Sequence, residues 1–175
     1  MLEQVTENEA ATRALGEALG RELAAGDMVL LEGALGAGKT VFAQGLALGL
    51  GLGGAVKSPT FTLVHEHHAR AWPGARANLA HLDLYRLPEG ASILDLGLDE
   101  FLEQGVVVAE WGARLAPDYP EHVCVTLEDA PSAAPAPAPG GSAEPRRVRI
   151  EGRGARGGQR VTALAARLRT LREGA

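Results

Sequence analysis

The segment Gly33-Ala34-Leu35-Gly36-Ala37-Gly38-Lys39-Thr40 restricts the possible folds more than any other stretch of this sequence, because of what stands on either side of it. Before it runs Met28-Val-Leu-Leu31, an apolar stretch of the length of a buried parallel strand. After it, from Lys39, the residues Val41, Phe42, Leu46 and Leu50 recur at helical spacing. Gly-x-x-x-x-Gly-Lys-Thr between a strand and a helix is a phosphate-binding loop. Its glycines let successive backbone N–H groups converge on phosphate oxygens, and the helix adds the positive end of its dipole. Lys39 supplies a mobile point charge for the outer phosphates, and the Thr40 hydroxyl is suited to Mg²⁺.

The rest of the chain alternates helical and strand patterns. Glu7 to Ala25 is expected to be a helix, with Leu15, Leu19 and Leu23 on one face, and the glycines from Gly49 to Gly54 close the helix after the loop. Thr60–His65, Leu79–Leu84, Val106–Ala109, Glu121–Leu127 and Arg147–Glu151 read as strands. Residues 67–78 read as a hairpin connection or insertion, and Ala91–Gln104 as a helix. Gln159–Arg172 reads as a closing amphipathic helix, with Val161, Leu164, Leu168 and Leu171 inward. The tract 131–145 is rich in Ala, Pro, Gly and Ser and is expected to be a mobile loop. The expected architecture is α/β: a P-loop NTPase domain over residues 1–175, three-layer αβα with a central, mostly parallel sheet.

A phosphate-binding loop needs a carboxylate from a neighbouring strand to hold the metal or its waters. Two stand at strand ends: Asp83 in His-Leu-Asp-Leu-Tyr, and Glu110 after Val-Val-Val-Ala. Carboxyl ends of buried strands are where open α/β sheets bind ligands, and the sequence does not rank the two. Between loop and carboxylates lies the hydroxyl-rich Ser58-Pro59-Thr60-Phe61-Thr62-Leu63, where nucleotide switches place their γ-phosphate sensor.

Composition narrows the partners. A formal net charge of −5 disfavours a free-standing binder of DNA or RNA, which would need excess Lys and Arg to displace counterions. No stretch is long and apolar enough for a membrane span, and the N-terminus lacks a leader pattern, so a cytoplasmic location is expected. Cys124 lies in an apolar run and is expected to behave as a small core residue.

Taken in order, Leu35-Gly-Ala-Gly-Lys-Thr40, Lys57-Ser-Pro-Thr-Phe-Thr-Leu-Val64, His81-Leu-Asp-Leu-Tyr-Arg86, Leu96-Gly-Leu-Asp-Glu-Phe101 and Glu110-Trp111 resemble the TsaE (YjeE) proteins. That family is the ATPase component of the bacterial machinery that makes threonylcarbamoyladenosine in tRNA, and the resemblance covers about the first 130 residues. It implies a compact P-loop domain with a weak Mg²⁺-dependent ATPase controlled by partners. It also implies docking on the TsaB–TsaD complex, with tRNA met only through that complex. By resemblance, Gly33, Leu35, Gly36, Ala37, Gly38, Lys39 and Thr40 cradle ATP, with Thr60, Thr62 and Trp111 near the nucleotide. Thr40 and Glu110 would hold Mg²⁺, and Lys39, Asp83 and Glu110 would carry the chemistry. The sequence departs from the family pattern at Ala34, where an acidic residue is usual, and at His67-His68, near a usual aromatic.

Two other functions share the loop. A small-molecule P-loop kinase would need a lid bearing paired arginines, and none is seen between the switch-like loop and Glu110. A nucleotide-gated adaptor would bind ATP without significant hydrolysis. His65 and His67 fall on one face of a strand but lack a complementary Cys/His pair for zinc. The arginines around 152–172 read as a solvated helix face.

Overall fold

The computed structural model describes residues 1–53, 63–88, 96–130 and 145–173. Its strands are β1 (Leu2–Thr6), β2 (Met28–Glu32), β3 (Val64–His67), β4 (Asn78–Asp83), β5 (Gly105–Glu110), β6 (His122–Asp129) and β7 (Arg146–Arg153). The α-helices are α1 (Glu9–Gly20), α2 (Lys39–Gly49), α3 (Leu98–Gln104) and α4 (Gly154–Glu173). All strands join one sheet in the order β1-β7-β6-β2-β5-β4-β3. The inner pairs β6–β2, β2–β5 and β5–β4 are parallel, whereas β3, β7 and β1 are joined to their neighbours antiparallel. The expected α/β sheet is therefore present, parallel at its centre and mixed toward its edges.

The apolar runs seen in the sequence occupy this centre. β5 is buried along its whole length and β2 along all but its last residue, as strands covered on both faces require. Alternation along the strands sorts the core into two layers. Val29, Leu31, Val106 and Val108 pack with Leu19, Phe42, Leu46 and Leu164 under α1, α2 and α4. Leu30, Leu82, Val107 and Ala109 pack on the opposite face with Leu98 of α3 and with Leu115 of a short 3₁₀ turn, Gly112–Leu115.

The pairing of α1 with α2 depends on four glycines. Gly16 and Gly20 on α1 face Gly45 and Gly49 on α2, so the two helices touch backbone to backbone. A Cβ on Gly16 would stand 2.4 Å from the Phe42 carbonyl oxygen, and one on Gly49 2.3 Å from that of Glu17. Contacts advance in the same direction along both helices, so α1 and α2 lie parallel, with their amino ends together and their carboxyl ends together.

Parallel helices bring two negative dipole ends side by side, and Arg76 answers both. Its guanidinium donates to the carbonyls of Gly20 (2.7 Å) and Arg21 (2.9 Å) on one helix and of Gly49 (2.8 Å) on the other. Arg76→Ala leaves these ends without their charged donor. The expected cost is about 2–3 kcal/mol, or roughly 5–10 °C in the thermal midpoint followed by circular dichroism. A midpoint unmoved by the substitution would mean that water satisfies the carbonyls equally well.

Several sequence expectations need correction. β1 has no counterpart in the sequence reading: it is an edge strand alternating inward Leu2 and Thr6 with exposed Val5, too short and polar to stand out. The strand expected at 60–65 begins at Val64, and Ser58, Thr60 and Thr62 lie outside the described residues. Residues 67–78 do form the β3–β4 hairpin connection, with a 3₁₀ turn at Ala69–Ala71. The helix expected from Ala91 is described from Leu98, and of the tract 131–145 only Pro145 is described. Leu171 is exposed, because the apolar surface beneath α4 ends at Leu168. Cys124 is half-buried on the layer opposite Val123 and Val125, and burial pushes its thiol pKa up.

Arg156, Arg169 and Arg172 on α4 are exposed as expected, whereas Arg160 and Arg167 are less solvated. Arg160 pairs with buried Asp27 at 2.7 Å, and Arg167 pairs with Glu22. These contacts hold α4 against the connection between α1 and β2.

Candidate functional site

β2 ends at Glu32 and α2 begins at Lys39, so the glycine-rich loop sits at the carboxyl end of the central parallel strands. Its turns need glycine: Gly33, Gly36 and Gly38 all have positive φ, at 143°, 80° and 99°. A Cβ at Gly33 would lie 2.3 Å from the Leu127 carbonyl oxygen, whereas one at Gly36 would meet nothing within 4 Å. The loop is thus tight against β6 on one side and open on the other. Gly38 occupies the N-cap of α2 without a side-chain cap. The first intrahelical bond runs from Phe42 N–H to the Gly38 carbonyl, so the amides of Lys39, Thr40 and Val41 have no acceptor within the helix.

Lys39 is almost fully buried at the head of this helix. Its ammonium donates to the carbonyls of Gly33 (2.7 Å) and Ala34 (2.9 Å) and lies 4.0 Å from the centroid of the Trp111 ring. Burial pushes its pKa down from the ordinary lysine value, opposed by the nearby carboxylates of Glu110, Asp83 and Glu32.

The two carboxylates that the sequence left unranked are paired across the β4–β5 ladder, Asp83 opposite Glu110. The structure separates their surroundings. Glu110 is buried and its Oε1 accepts a hydrogen bond of 2.8 Å from Thr40 Oγ1. Asp83 is partly exposed and its Oδ1 accepts from the Tyr85 amide at 3.0 Å. Thr40, Lys39, Asp83, Glu110 and Trp111 line one cleft of about 450 Å³, together with Leu35, Gly36, Gly38 and Val41 of the loop and helix. Thr60 and Thr62 fall outside the described residues.

Trp111 has left-handed backbone geometry, φ 59°, the only positive φ among the described non-glycine residues. Its amide still donates to the Leu31 carbonyl at 2.9 Å, and its ring packs against Tyr85 with centroids 5.1 Å apart.

Residues to which the sequence assigns no individual role also meet here. His81 Nε2 is 3.0 Å from Glu110 Oε1, Glu9 and Arg86 line the cleft, and Glu32 accepts from the Ala113 amide. The signal for His81 was available: two residues before Asp83 on one strand, it shares that residue's face. Of the other histidines, His65 and His67 do share a face, with ring centroids 6.2 Å apart. Among the described residues no group of three His, Cys, Asp or Glu side chains is arranged to hold a metal, and no helix is long and apolar enough to cross a membrane.

The donor set fits a nucleotide phosphate group with a hard cation. The loop brings amides with no acceptor in the helix together with the Lys39 ammonium, and the Thr40 hydroxyl donates to the Glu110 carboxylate, a bond that does not use its lone pairs.

The profile of the family described as threonylcarbamoyl adenosine biosynthesis protein TsaE matches residues 6–133. A protein of that name from Treponema pallidum is 45% identical over 108 residues, covering 61% of this chain and 76% of its own. Its Mycobacterium tuberculosis counterpart is 46% identical over 124 residues, 67% of this chain and 73% of its own. The crystal structure of YdiB from Bacillus subtilis superposes with a TM-score of 0.71 at 28% identity, covering 95% of both chains. A profile match over most of the length, similarity to curated relatives and a shared fold lead to one conclusion: the chain belongs to the TsaE family.

Proposed function

We propose that this protein binds ATP with Mg²⁺ in the cleft between the glycine loop and the end of β5, and hydrolyses it in support of tRNA threonylcarbamoyladenosine synthesis. Family membership supports the pathway. The observation that carries the nucleotide reading is the Thr40–Glu110 hydrogen bond beside a buried lysine at the mouth of a glycine loop. TsaB and TsaD are the proposed partners, with tRNA reached through them. We read the chain as one cytoplasmic domain, with β7 hydrogen-bonded between β1 and β6.

In this reading the amides at the start of α2 bind phosphate oxygens, and Lys39 moves from the Gly33 and Ala34 carbonyls to the outer phosphates. Thr40 and Glu110 hold Mg²⁺, which supplies positive charge to those oxygens when bound. The Thr40–Glu110 contact supports Glu110, over Asp83, as the metal partner. Asp83, alongside it and more open to the cleft, orients the attacking water. The attacking water would approach the γ-phosphorus in line with its bond to the bridging oxygen; that bond breaks, ADP leaves with the oxygen, and catalysis comes chiefly from positioning and charge.

If the nucleotide lies beside Trp111, adding ATP and Mg²⁺ changes its fluorescence. In a Trp72→Phe background the signal comes from Trp111 alone, and a flat titration there removes the placement. Capture of TsaB and TsaD by this protein, with and without ATP and with turnover followed in parallel, tests the wider role. Binding and stimulated hydrolysis together support a partner-driven ATPase. Nucleotide-dependent binding without turnover describes an adaptor.

A further inference from the structure

Glu110 is gripped from two elements at once. Thr40 Oγ1 on α2 donates to its Oε1 at 2.8 Å, and His81 Nε2 on β4 lies 3.0 Å from the same oxygen. No described residue donates to Oε2. His81 has no exposed surface, and its second ring nitrogen, Nδ1, has no hydrogen-bond partner among the described residues. A buried imidazole with an unsatisfied nitrogen is costly to keep in place of an apolar residue. Among the described residues its side chain has one polar contact, with Glu110.

Geometry leaves the ring little freedom. His81 sits opposite Val108 on β5 and opposite His65 on β3, in a fully paired part of the sheet. Its face is that of Leu79 and Asp83, so the backbone aims it along the sheet toward the residue paired with Asp83. With Nδ1 lacking a donor or acceptor, the Nε2–H must point to the carboxylate if the contact is to be a hydrogen bond, because an ionised carboxylate only accepts.

We infer that His81 is a positioning residue for the metal-binding carboxylate: with Thr40 it saturates Oε1 of Glu110 and fixes the rotamer that presents Oε2 to the cation. This rests on the proposed role of Glu110. Hydrogen bonds to a metal-ligating carboxylate from surrounding side chains set its orientation, and their loss weakens metal affinity about 10–100-fold. His81 is not among the residues that line the cleft. Its effect should therefore appear in the Mg²⁺ dependence of binding and leave Mg²⁺-free binding alone.

The test is calorimetric titration of ADP into the full-length protein at graded Mg²⁺ concentrations, comparing His81→Leu, His81→Gln and Glu110→Gln with the parent. His81→Leu is expected to raise the Mg²⁺ concentration for half-maximal effect at least about tenfold, with ADP affinity in chelator unchanged within about twofold. His81→Gln, whose amide nitrogen can occupy the place of Nε2, should recover most of that loss. If His81→Leu fails to fold, His81→Asn is read in its place, since its shorter amide cannot span the contact. A folded His81→Leu with the parent's Mg²⁺ dependence overturns the inference, as does His81→Gln performing no better than His81→Leu. If Glu110→Gln shifts the Mg²⁺ dependence and His81→Leu does not, the role of His81 alone falls. If Glu110→Gln itself leaves it unmoved, the metal assignment falls and the inference falls with it.

Discussion

Gly45→Ala is expected to cost the protein about 3 kcal/mol or more, lowering its thermal midpoint by roughly 10 °C or preventing folding outright. The added methyl would lie 2.1 Å from the Arg13 carbonyl oxygen, 2.9 Å from the Glu17 nitrogen and 3.0 Å from the Arg13 carbonyl carbon. All three are backbone atoms, so no rotamer change relieves the clash. Either α1 or α2 has to move away. Leu15, Leu19, Phe42 and Leu46, buried in the layer these helices share, would then lose close packing together. Gly158→Ala gives an internal contrast. It sits inside α4 with nothing within 4 Å of its would-be Cβ, and alanine there should stabilise by about 0.5–1 kcal/mol. The same chemical change should therefore move the midpoint down at one site and up at the other. A neutral Gly45→Ala would show that the helices can separate without penalty.

Lys39→Ala is expected to weaken ATP binding by about 1.5–3 kcal/mol, or roughly 10- to 150-fold, through loss of a charge-assisted contact to the outer phosphates. Lys39 is held at the cleft by two carbonyls and the face of Trp111, and burial already lowers its pKa, so in the proposed role it would reach phosphate with part of its desolvation complete. Lys39→Met separates charge from packing, because it keeps an unbranched apolar stem beside the indole. An equal loss in both variants assigns the effect to the ammonium. ATP affinity unchanged in a titration of either one would refute the phosphate-binding role.

What could be read from the sequence follows the range of the forces involved. The glycine loop, the strand before it and the helix after it are specified by adjacent residues, and the structure places them within a residue or so of expectation. The buried runs of β2 and β5 were equally plain, because a central parallel strand has to be apolar on both faces. Harder to see was anything decided by a partner distant in the chain. Gly16-x-x-x-Gly20 and Gly45-x-x-x-Gly49 each look like poor helix sequence alone, and only their mutual contact explains them. β1 acquires its strand character from pairing with β7, some 140 residues later. The difference in surroundings between Asp83 and Glu110 depends on one hydroxyl from α2. His81 stands in a motif but has no role legible there, because its partner is a carboxylate on the next strand.

The left-handed residue at the end of β5 has an effect on the molecule as a whole. Sheets keep their two sides apart, since the ladder of backbone bonds between strands admits no side chain through it. Trp111 goes around the rim. Its indole rests on the α3-side cluster that contains Leu30 and Ala109, and at the same time lies under the ammonium of Lys39, which belongs to the helix layer on the other side. One flat ring thus joins the two halves of the interior at the spot where negative charge would arrive, so a displacement of that lysine is felt in both layers.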